Sequence, residues 1–165
     1  MPSLKGATAV DRKPDTVTVS MPMSSGEVKL SFFGGISFGR VGDPDRVQGK
    51  VRLASSLDLL ATKLKTIHDR IEAKDYLDIE ALLKSGLTLT QGIAAARSLF
   101  GRTLNPLDTA KAVGWFKDGD LDRKLSSSTK AFLASAFAKF DPRVSPLPIR
   151  SKTLASTKPL RRVSP

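Results

Sequence analysis

Three cations and two carboxylates fall within one short stretch of the chain. Lys63, Arg70 and Lys74 are spaced seven and four apart, and Asp75 and Asp78 follow at once. On a continuous helix the three cations share one face. Side chains of this kind hold the phosphates of a nucleotide, while the carboxylates hold a divalent metal or accept a proton. The same residues can also simply neutralise one another. Lys74 and Asp78 are four apart, the spacing of a surface ion pair, and Asp69 and Glu72 stand close by. Spacing alone leaves both readings open, and ion pairing is the simpler.

The element that must position them is helical. In "SSLDLLATKLKTIHDRIEAK" the apolar residues Leu57, Leu60, Leu64, Ile67 and Ile71 recur at three and four, one face of a helix. Continued at 3.6 residues per turn, that face passes through Asp75, Asp78 and Leu82. Carboxylates rarely occupy such positions unless they are paired or working. A break near Ala73 would weaken the register and make Asp75 the cap of a second segment. Ser55 or Ser56 suits the helix start, and Asp58 puts a negative charge in its first turn.

Before this helix the chain is strand-like. "TVTVSMP", "EVKLSFFGG" and "GKVRLAS" alternate apolar and polar residues between Gly, Pro and Asp turns, which predicts a small antiparallel sheet over about 15–54. After it, helices are predicted over 55–140. Thr88 or Thr90 caps one that Gly101 closes, Asn105 with Pro106 starts another, and "SSSTKAFLASAFAKF" forms the last. The fold class is α+β, a small sheet followed by a helical bundle. Residues 1–14 read as a flexible N-terminus. Residues 141–165 hold six lysines and arginines, one aspartate and five prolines, and read as a basic, disordered tail.

Composition narrows the chemistry. The 165-residue chain carries a formal charge of +11, which suits phosphate-rich partners such as RNA or DNA bound by the surface or the tail. It has no cysteine, so no disulfide, thiolate nucleophile or thiolate metal site. Its single histidine, His68, excludes a multi-histidine metal site and is read as structural. No apolar run approaches a membrane span, and a soluble cytoplasmic protein is expected. The glycines of "SFFGGISFGRVGDPD" are not a P-loop, because no Gly-Lys-Ser/Thr follows. Trp115 and Phe116 read as core packing. Asp118, Asp120 and Asp122 lack the remaining ligands of a calcium loop.

Several of these residues recur together in a known pattern. Asp58, Leu59, Leu60, Ala61, Lys63, Leu64, Arg70, Lys74, Asp75, Tyr76, Asp78 and Leu82 resemble the signature of the AbiEii/AbiGii-type nucleotidyltransferase toxins, over roughly Val28 to Ser98. The resemblance implies a polymerase-β-like nucleotidyltransferase core of which the sheet is a remnant, NTP and Mg²⁺ as cofactors, and a bacterial toxin role in abortive infection, phage defence or toxin–antitoxin pairs. It implies Lys63, Arg70 and Lys74 as phosphate contacts and Asp75 and Asp78 as the catalytic acids. The family's Gly-Ser…Asp-x-Asp motif is missing. Asp43-Pro44-Asp45 lies in a turn, and Asp118–Asp122 follow the signature instead of preceding it. The expectation is therefore a truncated, NTP-binding half-site, inactive without a complementing chain, with an antitoxin as the other implied partner. A non-catalytic nucleic-acid-binding scaffold or an inactive remnant is the alternative.

Overall fold

The computed structural model describes residues 6–47, 51–101 and 104–154. They form two compact units that divide between Ser37 and Phe38. The arrangement is α+β: strands first, then six helices.

The first unit is a three-stranded antiparallel sheet of β1 (Thr8–Lys13), β2 (Thr16–Met23) and β3 (Gly26–Phe33), in that order. Its register sets Val17 opposite Phe32, Val19 opposite Leu30 and Met21 opposite Val28. Directly opposed residues share a face, so these six make one apolar side. Thr18, Ser20, Lys29 and Ser31 lie on the other, where Thr18 Oγ1 and Ser31 Oγ are 2.9 Å apart. The sheet opens earlier than the alternation suggests. β1 lacks an apolar alternation and is exposed throughout, so its place depends on backbone pairing to β2.

The second unit begins with a short hairpin of β4 (Asp45–Val47) and β5 (Val51–Leu53). Six helices follow: α1 (Ser56–Asp69), α2 (Ala73–Lys84), α3 (Leu89–Phe100), α4 (Pro106–Val113), α5 (Leu121–Lys124) and α6 (Ser127–Ala138). Side-chain caps set their starts. Ser55 caps α1, Thr88 and Gln91 form a capping box on α3, Asn105 caps α4 and Ser126 caps α6. α2 closes at Ser85, and Gly86 turns the chain with φ of 106°, a conformation that favours glycine.

The core is the apolar stripe of α1 packed on its neighbours. Leu60, Ala61, Leu64 and Ile67 are buried against a cluster that includes Tyr76, Ile79, Ile93, Val113, Leu121 and Leu133. The stripe ends at Ile67. α1 stops at Asp69, so Ile71 lies outside it and remains 41% exposed.

Two anchors hold loops to this core. The buried Asp58 carboxylate accepts the backbone N–H of Val41 at 2.8 Å and of Gly42 at 3.1 Å, and the Ser55 hydroxyl at 2.7 Å. The dipole role expected of Asp58 is thus joined by a tether for the strap that precedes the hairpin. On its other side Arg40 pairs with Ser151. The stretch from Asp141 to Leu154, tail-like in composition, lies against the helices. Val144 is buried, Arg97 Nη1 donates to its carbonyl, and Ser98 Oγ donates to the Leu147 carbonyl at 2.8 Å. The rest of the predicted tail lies outside the described residues.

α3 rests on α1 at Gly92. A Cβ there would lie 2.6 Å from Leu60 Cδ2 and 2.9 Å from Leu64 Cδ1. Gly92→Ala gains helix propensity of about 1 kcal/mol but overpacks the core at a cost of about 1–3 kcal/mol. A lowered urea midpoint for this variant is expected; a raised one would show that α1 and α3 are not this close.

Candidate functional site

The signature residues meet where α1 hands over to α2. The helix does not run through. Arg70 is the C-cap of α1 with extended backbone (φ −156°, ψ 149°), and α2 starts afresh at Ala73. The continuous register is therefore corrected: Asp75 and Asp78 belong to a second helix and do not extend the α1 stripe. Asp75 is not a cap either. It lies in the first turn of α2, where a negative charge suits the dipole, and the N-cap is Glu72, whose side chain makes no capping bond. A distant residue does that work. Asp120 Oδ1 accepts the backbone N–H of Ala73 at 2.8 Å.

Burial of Leu60 and Leu64 on one side, and of Tyr76 and Ile79 on the other, turns Lys63 and Asp75 toward each other. Lys63 Nζ donates to Asp75 Oδ1 at 2.8 Å, and Arg70 Nε donates to Asp75 Oδ2 at 3.1 Å. The Asp75 side chain is 0% exposed, while those of Lys63 and Arg70 are 28% and 48% exposed. Lys63 Nζ also lies 2.5 Å from Asp78 Oδ2, whose side chain is 52% exposed. Four of the five expected site residues thus converge. Lys74 turns away and pairs with Glu72 at 2.6 Å, so the anticipated Lys74–Asp78 pair does not form.

The electrostatics follow from the geometry. Burial opposes a charged Asp75, but the hydrogen bonds from Lys63 and Arg70 outweigh it and hold the carboxyl below its ordinary value. Burial likewise opposes a charged Lys63, and the bonds to Asp75 and Asp78 raise its pKa overall. Both cations keep donors in reserve. A lysine has three N–H groups and an arginine five. Lys63 uses two on carboxylates, and the Nη groups of Arg70 make no hydrogen bond among the described residues. The site offers an arginine fork and a lysine on the exposed side of a fixed carboxylate, an arrangement that can accept phosphate oxygens.

The same centre does not suit a metal. Both Asp75 oxygens face cations, and among the described residues no group of three or more His, Asp or Glu could hold one. Four of the five Asp-x-Asp carboxylates are occupied elsewhere. Asp43 pairs with Arg40, Asp118 accepts the Trp115 indole N–H, Asp120 pairs with Lys124, and Asp122 pairs with Lys130. Sequence reasoning missed the tethering by Asp58 and the capping by Asp120. Both are ordinary aspartates locally, and only the fold brings their partners to them.

The family model of the nucleotidyl transferase AbiEii toxin, from type IV toxin–antitoxin systems, matches residues 5–150. The chain belongs to this family, and such a system implies an antitoxin. No curated protein and no solved structure matches the chain. Among the described residues, no helix is long and apolar enough to cross a membrane.

The ion-pair cluster makes stability depend on pH. Asp75 titrates below its ordinary value, so its contribution is present above about pH 4 and is lost as pH falls through the lower, folded-state value. Asp75→Asn leaves Lys63 and Arg70 without their shared partner and is expected to cost about 1–3 kcal/mol at pH 7, since both cations stay partly hydrated. Its stability should then fall less than that of the native chain between pH 4 and 2. Urea unfolding across this range checks both; parallel pH profiles would mean that Asp75 does not titrate as described.

Proposed function

We propose that the chain binds a nucleoside triphosphate through Lys63 and Arg70 and contributes the cationic half of a nucleotidyl-transfer centre. One observation carries this reading: two partly exposed cations are held in fixed positions by a carboxylate that is itself fully buried. A purely solvated ion pair has no need of a buried anion, whereas a preorganised phosphate site does.

In nucleotidyl transfer an acceptor oxygen attacks the α-phosphorus, the bond to the bridging oxygen breaks, and pyrophosphate leaves. Negative charge gathers on the phosphate oxygens, and Lys63 and Arg70 supply donors for it. Asp75 touches no substrate in this scheme; it is a positioning residue that acts through the two cations. Asp78 holds the exposed side of Lys63, so an entering phosphate exchanges with it there. Magnesium finds no carboxylate set among the described residues, and no step is assigned to it. All sixteen acidic residues of the chain lie among the described ones, so we assign the metal-binding carboxylates to a complementing chain and expect no transfer from this chain alone. A toxin role in abortive infection or phage defence belongs to the same proposal.

A nucleic-acid-binding scaffold is the second reading. Arg52, Lys111, Lys117, Arg123 and Lys139 make no ion pair among the described residues and are available to a polyanion.

Calorimetry with ATP, GTP, CTP and UTP, with and without magnesium, tests the first reading. Binding should persist in EDTA and weaken roughly tenfold in Arg70→Ala, which removes a charge-assisted donor without emptying the core. No binding, or binding indifferent to Arg70→Ala, would overturn it.

A further inference from the structure

Trp115 is the chain's single tryptophan, and its neighbourhood reads as core packing from sequence. The structure corrects this: Trp115 is 51% exposed. Its indole is nevertheless fixed. Nε1 donates to Asp118 Oδ2 at 2.8 Å, and Lys117 Nζ lies 5.6 Å from the ring centroid. The ring lines a cleft of about 550 Å³ in the helical unit, shared with His68, Asp108, Lys111 and Phe137.

The polar groups of this cleft have a defined hydrogen-bonding character. Thr109 Oγ1 donates its hydrogen to the Asn105 carbonyl at 2.8 Å. Its oxygen is therefore left to accept from His68 Nε2, 2.9 Å away. That fixes the imidazole tautomer and leaves Nδ1 a bare acceptor. Burial, and secondarily Lys65, holds the His68 pKa below its ordinary value, which keeps the ring neutral near pH 7. The Asp108 carboxylate and the Lys111 ammonium make no hydrogen bond or ion pair among the described residues. The cleft thus combines a rigid aromatic plane, two unused acceptors and an unused cation.

Few ligand classes match that combination. A fatty chain has no use for the acceptors, and a bare anion is repelled by Asp108 and Asp118. A nucleobase offers a flat π-face for an indole and amino or imino N–H groups for acceptors, and it brings a phosphate for a lysine. We infer that this cleft binds a nucleobase stacked on Trp115, with His68 Nδ1 and Asp108 accepting its N–H groups and Lys111 facing its phosphate. Guanine, with adjacent N1–H and N2–H donors that fit one carboxylate, binds best, and uracil, with N3–H alone, binds least. The base comes either from a free nucleotide or from a single-stranded nucleic acid. His68 follows Lys63 by five residues on α1, about 7.5 Å along the axis and about 140° around it, so the cleft opens on a different flank from the phosphate site. The inference therefore stands whether or not the chain transfers nucleotides.

Because Trp115 is the sole tryptophan, its fluorescence reports the site directly. The full chain is titrated with GMP, AMP, CMP and UMP, with ribose 5-phosphate, and with a guanine-containing single-stranded hexanucleotide. Quenching by the nucleotides in the order guanine first and uracil last, with none from ribose 5-phosphate, is the expected result. Tighter and more salt-sensitive quenching by the hexanucleotide identifies a nucleic acid as the source; equal affinity identifies the free nucleotide. Calorimetry of Trp115→Ala should show a loss of roughly tenfold in affinity. His68→Ala and Lys111→Ala, which leave the reporter in place, should each weaken quenching. Absence of quenching by every base, or quenching by ribose 5-phosphate equal to that by GMP, overturns the inference. So does quenching unaffected by both His68→Ala and Lys111→Ala.

Discussion

A carboxylate with no exposed surface can remain charged only if cations replace the water it has lost. Asp75 has two, one on each oxygen, and they come from different places in the chain. Lys63 comes from the middle of α1 and Arg70 from its C-cap, while Asp75 opens α2. The desolvation of a buried ion pair often cancels its attraction. Here the burial is one-sided, because both cations keep part of their surface in water. The anion is fixed and the cations stay available, which is the asymmetry that a phosphate site requires.

The surrounding architecture works by the same device. Asp58 ties the Val41–Gly42 strap to the first turn of α1, and Asp120 supplies the capping bond that Glu72 does not make for α2. In each case an aspartate satisfies backbone N–H groups that would otherwise lack partners at a helix start or a loop crossing. The apolar core, with Leu60 and Leu64 facing Gly92 of α3, sets the spacing, and the carboxylates fix the loops and the elbow upon it. Loss of the Asp120 bond loosens the start of α2, the helix that carries Asp75.

Much of this was legible in the sequence because it is local. The three-and-four spacing of Leu57, Leu60, Leu64 and Ile67 gave α1, and Asn105-Pro106 gave the start of α4. The alternation in "EVKLSFF" gave β3. The α1–α2 break stays open in the sequence, since no proline or glycine marks it; Arg70 simply adopts an extended backbone. β1 carries no apolar alternation in the sequence, because an exposed edge strand needs none. Trp115 departs from core packing because a hydrogen bond to Asp118 and the Lys117 ammonium give its ring partners at the surface. The pairing of Lys63 with both Asp75 and Asp78 is non-local in the same sense. It depends on the angle at the elbow, which no spacing rule contains.

The most direct measurement is a double-mutant cycle on the network itself. Urea unfolding of the native chain, Lys63→Met, Asp75→Asn and the double variant isolates the energy shared by the two side chains. A coupling of at least about 1 kcal/mol is expected for charged groups in contact across the elbow. Additivity within about 0.5 kcal/mol would mean that Lys63 does not stabilise Asp75 in solution, and the proposed phosphate site that rests on that contact would fall with it.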